Sequence, residues 1–218
     1  MTVATIRCPS CASAQPAGPV CARCGGPLAP ELDLFAALGL ARRLVMKPTE
    51  LERRYHDLGR RIHPDRFASS SAAVKEASLK GTALLTRAYR VLRDPVSRGL
   101  YWLELHGEKL ADNNKQVPVE LAALVFEVQE QLAELREAKD RSASEPLAEA
   151  IQTWRAEVQA AMEQAREELG ANFASWDEGR AEAANLLPNL KATLSKIAYL
   201  RTLLRDIDRE LEPPVLSG

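Results

Sequence analysis

The sequence predicts an all-α protein: a helical hairpin followed by a carboxy-terminal three-helix bundle, preceded by a small tetracysteine zinc-binding segment. Three observations carry this expectation. All four cysteines of the 218-residue chain fall within its first 24 residues, so no disulfide framework holds the body together. Beyond residue 30, glycine and β-branched residues thin out and apolar residues recur at steps of three and four. The periodic runs are separated by short polar stretches, as packed antiparallel helices require. The expected organisation is a metal segment at 1–30, a hairpin domain at 31–107, a linker at 108–117, a bundle at 118–212 and a tail at 213–218. The length is enough for one substantial core or two smaller ones. A net charge of -1 argues against a general binder of nucleic acid or membrane surfaces. No apolar run approaches the ~18 residues that cross a bilayer, and the opening MTVATIRCPSC lacks a signal-peptide core. The expectation is a cytoplasmic protein, mitochondrial only if a transit segment has been removed.

In CPSC and CARCGG, Cys8, Cys11, Cys21 and Cys24 form two CxxC pairs separated by nine residues. Two residues between thiolates let one tight turn aim both sulfurs at a single ion, and two such turns complete a tetrahedron. Gly25 and Gly26 follow the second pair, where the backbone folds closely around the sulfurs. A thioredoxin-like redox pair needs a βαβ context, which is missing. The chemistry favours Zn2+, one per chain, and a structural role, because four thiolates leave no open coordination position. A segment this short holds no core by itself, so the metal supplies the folding energy.

A short helix is expected near residues 33–39 (DLFAALG). In PTELERRYHDLGRRIH, Leu51, Tyr55, Leu58 and Ile62 form one buried stripe, and Pro48 suits the first turn. The outer faces carry Arg53, Arg54, Arg60 and Arg61. Residues 41–66 hold eight basic and four acidic side chains, net +4 in a chain of net -1. Such a run is either a solvated face or a docking surface. A third helix follows, with a stripe through Val74, Ala77, Gly81, Leu84, Ala88 and Val91 and a serine cap. Asp94 and Pro95 then start a fourth. His63-Pro64-Asp65 therefore lies in the loop between two antiparallel helices.

The second half shows three long helical patterns. The first runs from about Pro118 to Arg141 and the second from about 145 to 169. The third opens with a capping box at Ser175 and Glu178, and Pro188 inside it predicts a kink or break. Two aromatics leave the stripes. At ~100° per residue, Phe126 sits about 160° from Val128, on the side of Ala123, Glu127 and Glu130, and Tyr199 sits about 160° from Ile197. Either could be an ordinary exposed aromatic; together, beside carboxylates, they suggest a contact surface.

HPD between these two helices, with a short leading helix and the pattern LRDP..R..Y after them, resembles the J-domain of DnaJ-type co-chaperones over about residues 32–107. The whole, through HPDRF, YWLELHG and FEVQEQLAEL, resembles the iron–sulfur co-chaperone family called HscB, or Jac-type in mitochondria. That likeness spans about residues 32–211. Some members also carry two amino-terminal CxxC pairs. The resemblance implies that His63, Pro64 and Asp65, with Arg53, Arg54, Arg60 and Arg61, engage an HscA/DnaK-type chaperone and stimulate its ATPase. It implies that Ala123, Phe126, Glu127, Glu130 and Tyr199 bind an IscU-type scaffold. Ala122 and Ala123 stand where the family has larger apolar residues, and Arg66 replaces its lysine after HPD.

An enzyme is not expected. The chain has no Ser nucleophile elbow, no phosphate-binding glycine loop and no second acid–base cluster to join His63 and Asp65. His56 lacks further metal ligands and His106 reads as a helix-end residue. Two other readings remain: a J-domain co-chaperone for another client, and a zinc-ribbon nucleic-acid module. Against the latter, residues 119–170 hold twelve acids and five bases, net -7.

Overall fold

The computed structural model describes residues 5–28, 31–110, 117–137, 141–180 and 182–211, without the side chains of 141–145 and 148. Most of the expected linker and the whole tail at 213–218 lie outside the described residues. Among the described residues the fold is all-α apart from one small sheet, as the periodicity predicts. The chain divides into two compact units, residues 1–101 and 102–218.

The first unit opens with strands β1 (Thr5–Arg7) and β2 (Ala14–Pro16), antiparallel with Ile6 opposite Gln15. Helix α1 (Leu34–Ala37) is capped by Asp33, whose carboxylate accepts the Ala36 amide at 2.9 Å. Helix α2 (Pro48–Ile62) starts at its proline and buries Leu51, Leu58 and Ile62, with Tyr55 half-buried. Helix α3 (Ala72–Arg93) packs against α1 and α2. Ser71 stands at its N-cap but makes no side-chain bond there, so the serine expectation holds in position only.

The α3 stripe differs from the predicted one in its second half. Leu85 and Leu92 are buried where Leu84 and Val91 were expected, and those two are half-buried. Both candidate pairs lie close to the same face. Packing against α1 and α2 decides between neighbours that periodicity leaves nearly equivalent. Helix α4 (Pro95–Leu105) begins as predicted, with Asp94 accepting the Ser97 amide at 2.8 Å. The LRDP..R..Y pattern closes other helix ends. Arg98 donates to the Leu92 carbonyl at 2.5 Å, and Tyr101 accepts the Leu34 amide at 2.9 Å.

The second unit is a three-helix bundle of α5 (Ala122–Glu137), α6 (Arg141–Asp177) and α7 (Ala183–Leu211), with a 3-10 turn, Val119–Leu121, leading into α5. Its core joins Val125, Val128 and Leu132 to Ile151, Val158, Met162, Leu169 and Phe173 and to Leu190, Leu194, Ile197 and Ile207. The expected capping box is corrected: Ser175 lies inside α6 and begins its last turn. There Arg180 donates to the Ser175 carbonyl and Gly179, at φ +71°, to that of Trp176, both at 2.9 Å. This is the paired-bond ending of a helix, not a beginning. Gly170 fails to stop α6 because one glycine costs only ~1 kcal/mol, while Leu169 and Phe173 carry the apolar period across it. Pro188 is the sixth residue of α7 and the helix continues through it. So near the start it removes one backbone bond and leaves the rest of the helix to packing.

Candidate functional site

The cysteine segment is built from two matching knuckles. The Ala12 amide donates to the Cys8 carbonyl and the Gly25 amide to the Cys21 carbonyl, both at 2.9 Å. Both residues have positive φ, 58° and 71°, as a chain reversing around a pair of sulfurs requires. All four sulfurs lie within 4.8 Å of one another, Cys8 to Cys24 at 3.6 Å and Cys11 to Cys21 at 3.7 Å. The edge of a tetrahedron with Zn–S bonds of ~2.3 Å is about 3.8 Å, so these two pairs already stand at ligand spacing. A disulfide would need about 2.05 Å.

Protonation is uneven across the cluster. The Cys24 backbone amide, with help from Ser13, pulls the Cys21 thiol down to about 6. At Cys24 the Gly26 amide favours the thiolate, yet partial desolvation and the three neighbouring sulfurs push the thiol up to about 12. Four thiolates so close together need a cation, and the donor set fits one metal ion.

His63 ends α2 and caps the 3-10 turn Pro64–Phe67, its Nδ1 accepting the Asp65 amide at 3.3 Å. The Asp65 carboxylate, 3.4 Å from the same ring, is 89% exposed. The two are neighbours, but the carboxylate points to solvent and no third polar group completes an acid–base site among the described residues. His63 shapes the turn; Asp65 is what the turn displays.

Arg53, Arg60 and Arg61 are exposed along α2 as expected. Arg54 is half-buried and donates to the Gly39 carbonyl at 3.2 Å, so it also ties α2 to the end of α1. Tyr55 stacks on Tyr89 of α3 at 4.3 Å. A shallow depression lined by Tyr55, Gly59, Arg60, His63 and Arg66 lies on this basic side.

Sequence reasoning missed what fixes the loop. Ile62, the last residue of α2, has a carbonyl that no helical amide can reach. Buried Ser78 donates to it at 2.6 Å and Thr82 reaches it at 3.4 Å, both from α3. The signal was present as two hydroxyls four residues apart beside an apolar stripe. Such a pair looks like ordinary helix surface until the carbonyl it serves is in view.

On α5, Phe126 is 66% exposed, and Ala123, Glu127 and Glu130 are exposed beside it. Tyr199 departs from its expected outward position: it is half-buried, and burial and then Asp206 push its phenol up. The cause lies in the helix pairing. Arg136, near the end of α5, meets Glu210, near the end of α7, at 2.8 Å, and holds that carboxyl below its ordinary range. The two helices therefore run parallel, not antiparallel as neighbours would. Counting back from that pair at ~1.5 Å per residue, Phe126 lies about 15 Å and Tyr199 about 16 Å away, at one level. Eleven residues are about three turns, so Tyr199 falls in line with Glu210, on the flank of α7 nearest α5.

No protein-family model matches the chain. Among solved structures it is similar to the human co-chaperone protein HscB, with TM-score 0.64 and 25% identity, covering 94% of this chain and 98% of that one. It is also similar to the chaperone HscB from Vibrio cholerae, with TM-score 0.57 and 21% identity, covering 82% and 96%. Coverage of 94% extends into the first 30 residues. The chain has the architecture of the HscB-type co-chaperones, together with a four-cysteine cluster able to hold a metal ion.

Proposed function

We propose that this HscB-type chain is a co-chaperone of iron–sulfur cluster assembly, binding an IscU-type scaffold with its second unit and stimulating an HscA/DnaK-type chaperone with its first. The observation that carries the reading is the pairing, in one chain, of an exposed HPD turn with a separate acidic surface bearing Phe126. In this reading Asp65 supplies a carboxylate for an arginine of the chaperone, while Arg53, Arg60 and Arg61 meet its acidic surface. Arg54 contributes charge from a fixed position. Ala123, Phe126, Glu127, Glu130 and Tyr199 receive the scaffold. The chain itself catalyses nothing, since ATP is hydrolysed by the partner. The test is a chaperone ATPase assay with and without purified scaffold. Stimulation by this protein alone, and further stimulation when the scaffold is added, is the expected result. Stimulation indifferent to the scaffold would instead favour another client, a reading to which the small side chains of Ala122 and Ala123 lend weight.

The metal at Cys8, Cys11, Cys21 and Cys24 is Zn2+ in this proposal, held for structure. Purified protein is expected to carry about one zinc per chain, and the Cys8→Ser/Cys21→Ser variant none. Helicity of that variant should persist, because the second unit draws its core from α5, α6 and α7. Stoichiometric iron with a cluster absorption band would overturn the assignment.

A further inference from the structure

The cysteine segment and the HPD turn meet on α3. Leu28 is buried and packs with Cys8 and Cys21 in the small core of that segment. Its carbonyl oxygen lies 3.2 Å from the point where a methyl group on Gly81 would sit, and Ile62 Cδ1 lies 3.3 Å from the same point. Gly81 is therefore where the α3 backbone touches both the metal segment and the last residue before His63. Ser78 and Thr82, which hold the Ile62 carbonyl, flank it in sequence. Residues of the two parts also line one groove together, Pro9, Cys24 and Gly26 with Phe67, Ser71 and Val74. Beside it, a methyl group at Gly25 would lie 3.9 Å from the Arg61 guanidinium.

We propose that the metal-binding segment braces the turn His63–Asp65, so that metal occupancy sets how firmly that turn is held. The segment owes its fold to the ion. When the ion leaves, Leu28 loses the packed neighbours that fix its backbone, and its carbonyl no longer holds its place against α3 at Gly81, beside Ile62. The hydroxyl contacts from α3 remain, so the turn loosens without the hairpin unfolding. Coupling of this kind is reciprocal: anything that separates Leu28 from Gly81 also weakens metal binding. The consequence for a chaperone rests on the function proposed above, whereas the coupling itself is testable with no partner present.

Amide hydrogen exchange is measured on the full chain loaded with zinc, on the same protein stripped by a chelator, and on Gly81→Ala loaded with zinc. Alanine is the better helix former, so this variant places a wedge at the contact without weakening α3 itself. Stripping is expected to speed exchange across residues 61–67 by tenfold or more, with α6 and α7 of the second unit unchanged as internal control. Gly81→Ala is expected to show faster exchange in the same residues with zinc still bound, and at least threefold weaker zinc affinity in competition with a chromophoric chelator. Turn exchange that stays at its loaded rate after stripping overturns the proposal. So does Gly81→Ala with wild-type zinc affinity and wild-type exchange. Neither readout involves ATPase stimulation, so failure here leaves the co-chaperone reading standing, and failure of that reading leaves the coupling intact.

Discussion

The Asp65→Asn protein is expected to lose nearly all stimulation of the chaperone ATPase while folding and melting like the parent. The side chain is 89% exposed, and its contact with the His63 ring at 3.4 Å is on the surface, so its charge contributes little to stability. Asparagine keeps the shape and, through an unchanged backbone, the Asp65 amide that His63 caps. What disappears is the acceptor for a charged partner. Hydrogen bonds to charged groups contribute ~1.5–3 kcal/mol, which is about tenfold or more in affinity. In the proposed mechanism this turn transmits the docking to ATP hydrolysis, so its loss is expected to reach turnover as well as binding. Stimulation by the unaltered protein should also decline as salt rises, because Arg53, Arg60 and Arg61 are exposed and their contacts are screened. Full stimulation by Asp65→Asn, measured as steady-state phosphate release, would defeat the proposed mechanism.

Phe126→Ala should weaken scaffold binding by more than tenfold without destabilising the bundle. Anchoring aromatics at interfaces commonly cost ~2 kcal/mol or more on truncation. A ring that is 66% exposed contributes little to the fold, so the melting free energy should move by about 0.5 kcal/mol or less. Tyr199 behaves differently. Being half-buried beside α5, its truncation removes packing as well as interface, and a cost of ~1–2 kcal/mol in stability is expected. The double variant should bind no scaffold by calorimetry, yet retain basal ATPase stimulation, since the HPD turn lies in the other unit. Phe126 is therefore the decisive single substitution. Wild-type affinity in Phe126→Ala would remove the client assignment and leave the chaperone-directed half untouched.

Much of this architecture is local and was legible in the chain. The CxxC spacing places sulfurs in pairs because two residues make one turn. Leu51, Leu58 and Ile62 mark the inner face of α2, Pro48 and Pro95 mark helix starts, and His63-Pro64-Asp65 falls between helices wherever those helices pack. The exposed position of Phe126 followed from angle alone. The remainder depends on partners distant in sequence. Whether Leu84 or Leu85 is buried turns on how α1 and α2 lie against α3. Ser175 and Glu178 fit a helix start and a helix end equally well, and the Leu169–Phe173 packing that carries α6 past Gly170 settles which. Tyr199 is drawn inward by the parallel pairing of α5 with α7, seen in Arg136 and Glu210. Ser78 acquires its role only because Ile62 ends its helix beside it. The sequence determined which segments are helical, which residues could ligate a metal and where the HPD turn falls. These follow from bonds and side-chain spacing within a few residues. The tertiary structure alone decided which of two adjacent side chains is buried, where α6 ends, and that the metal segment rests on the hairpin at Gly81. Those outcomes are set by the shape and unmet hydrogen bonds of surfaces that meet only once the chain has folded.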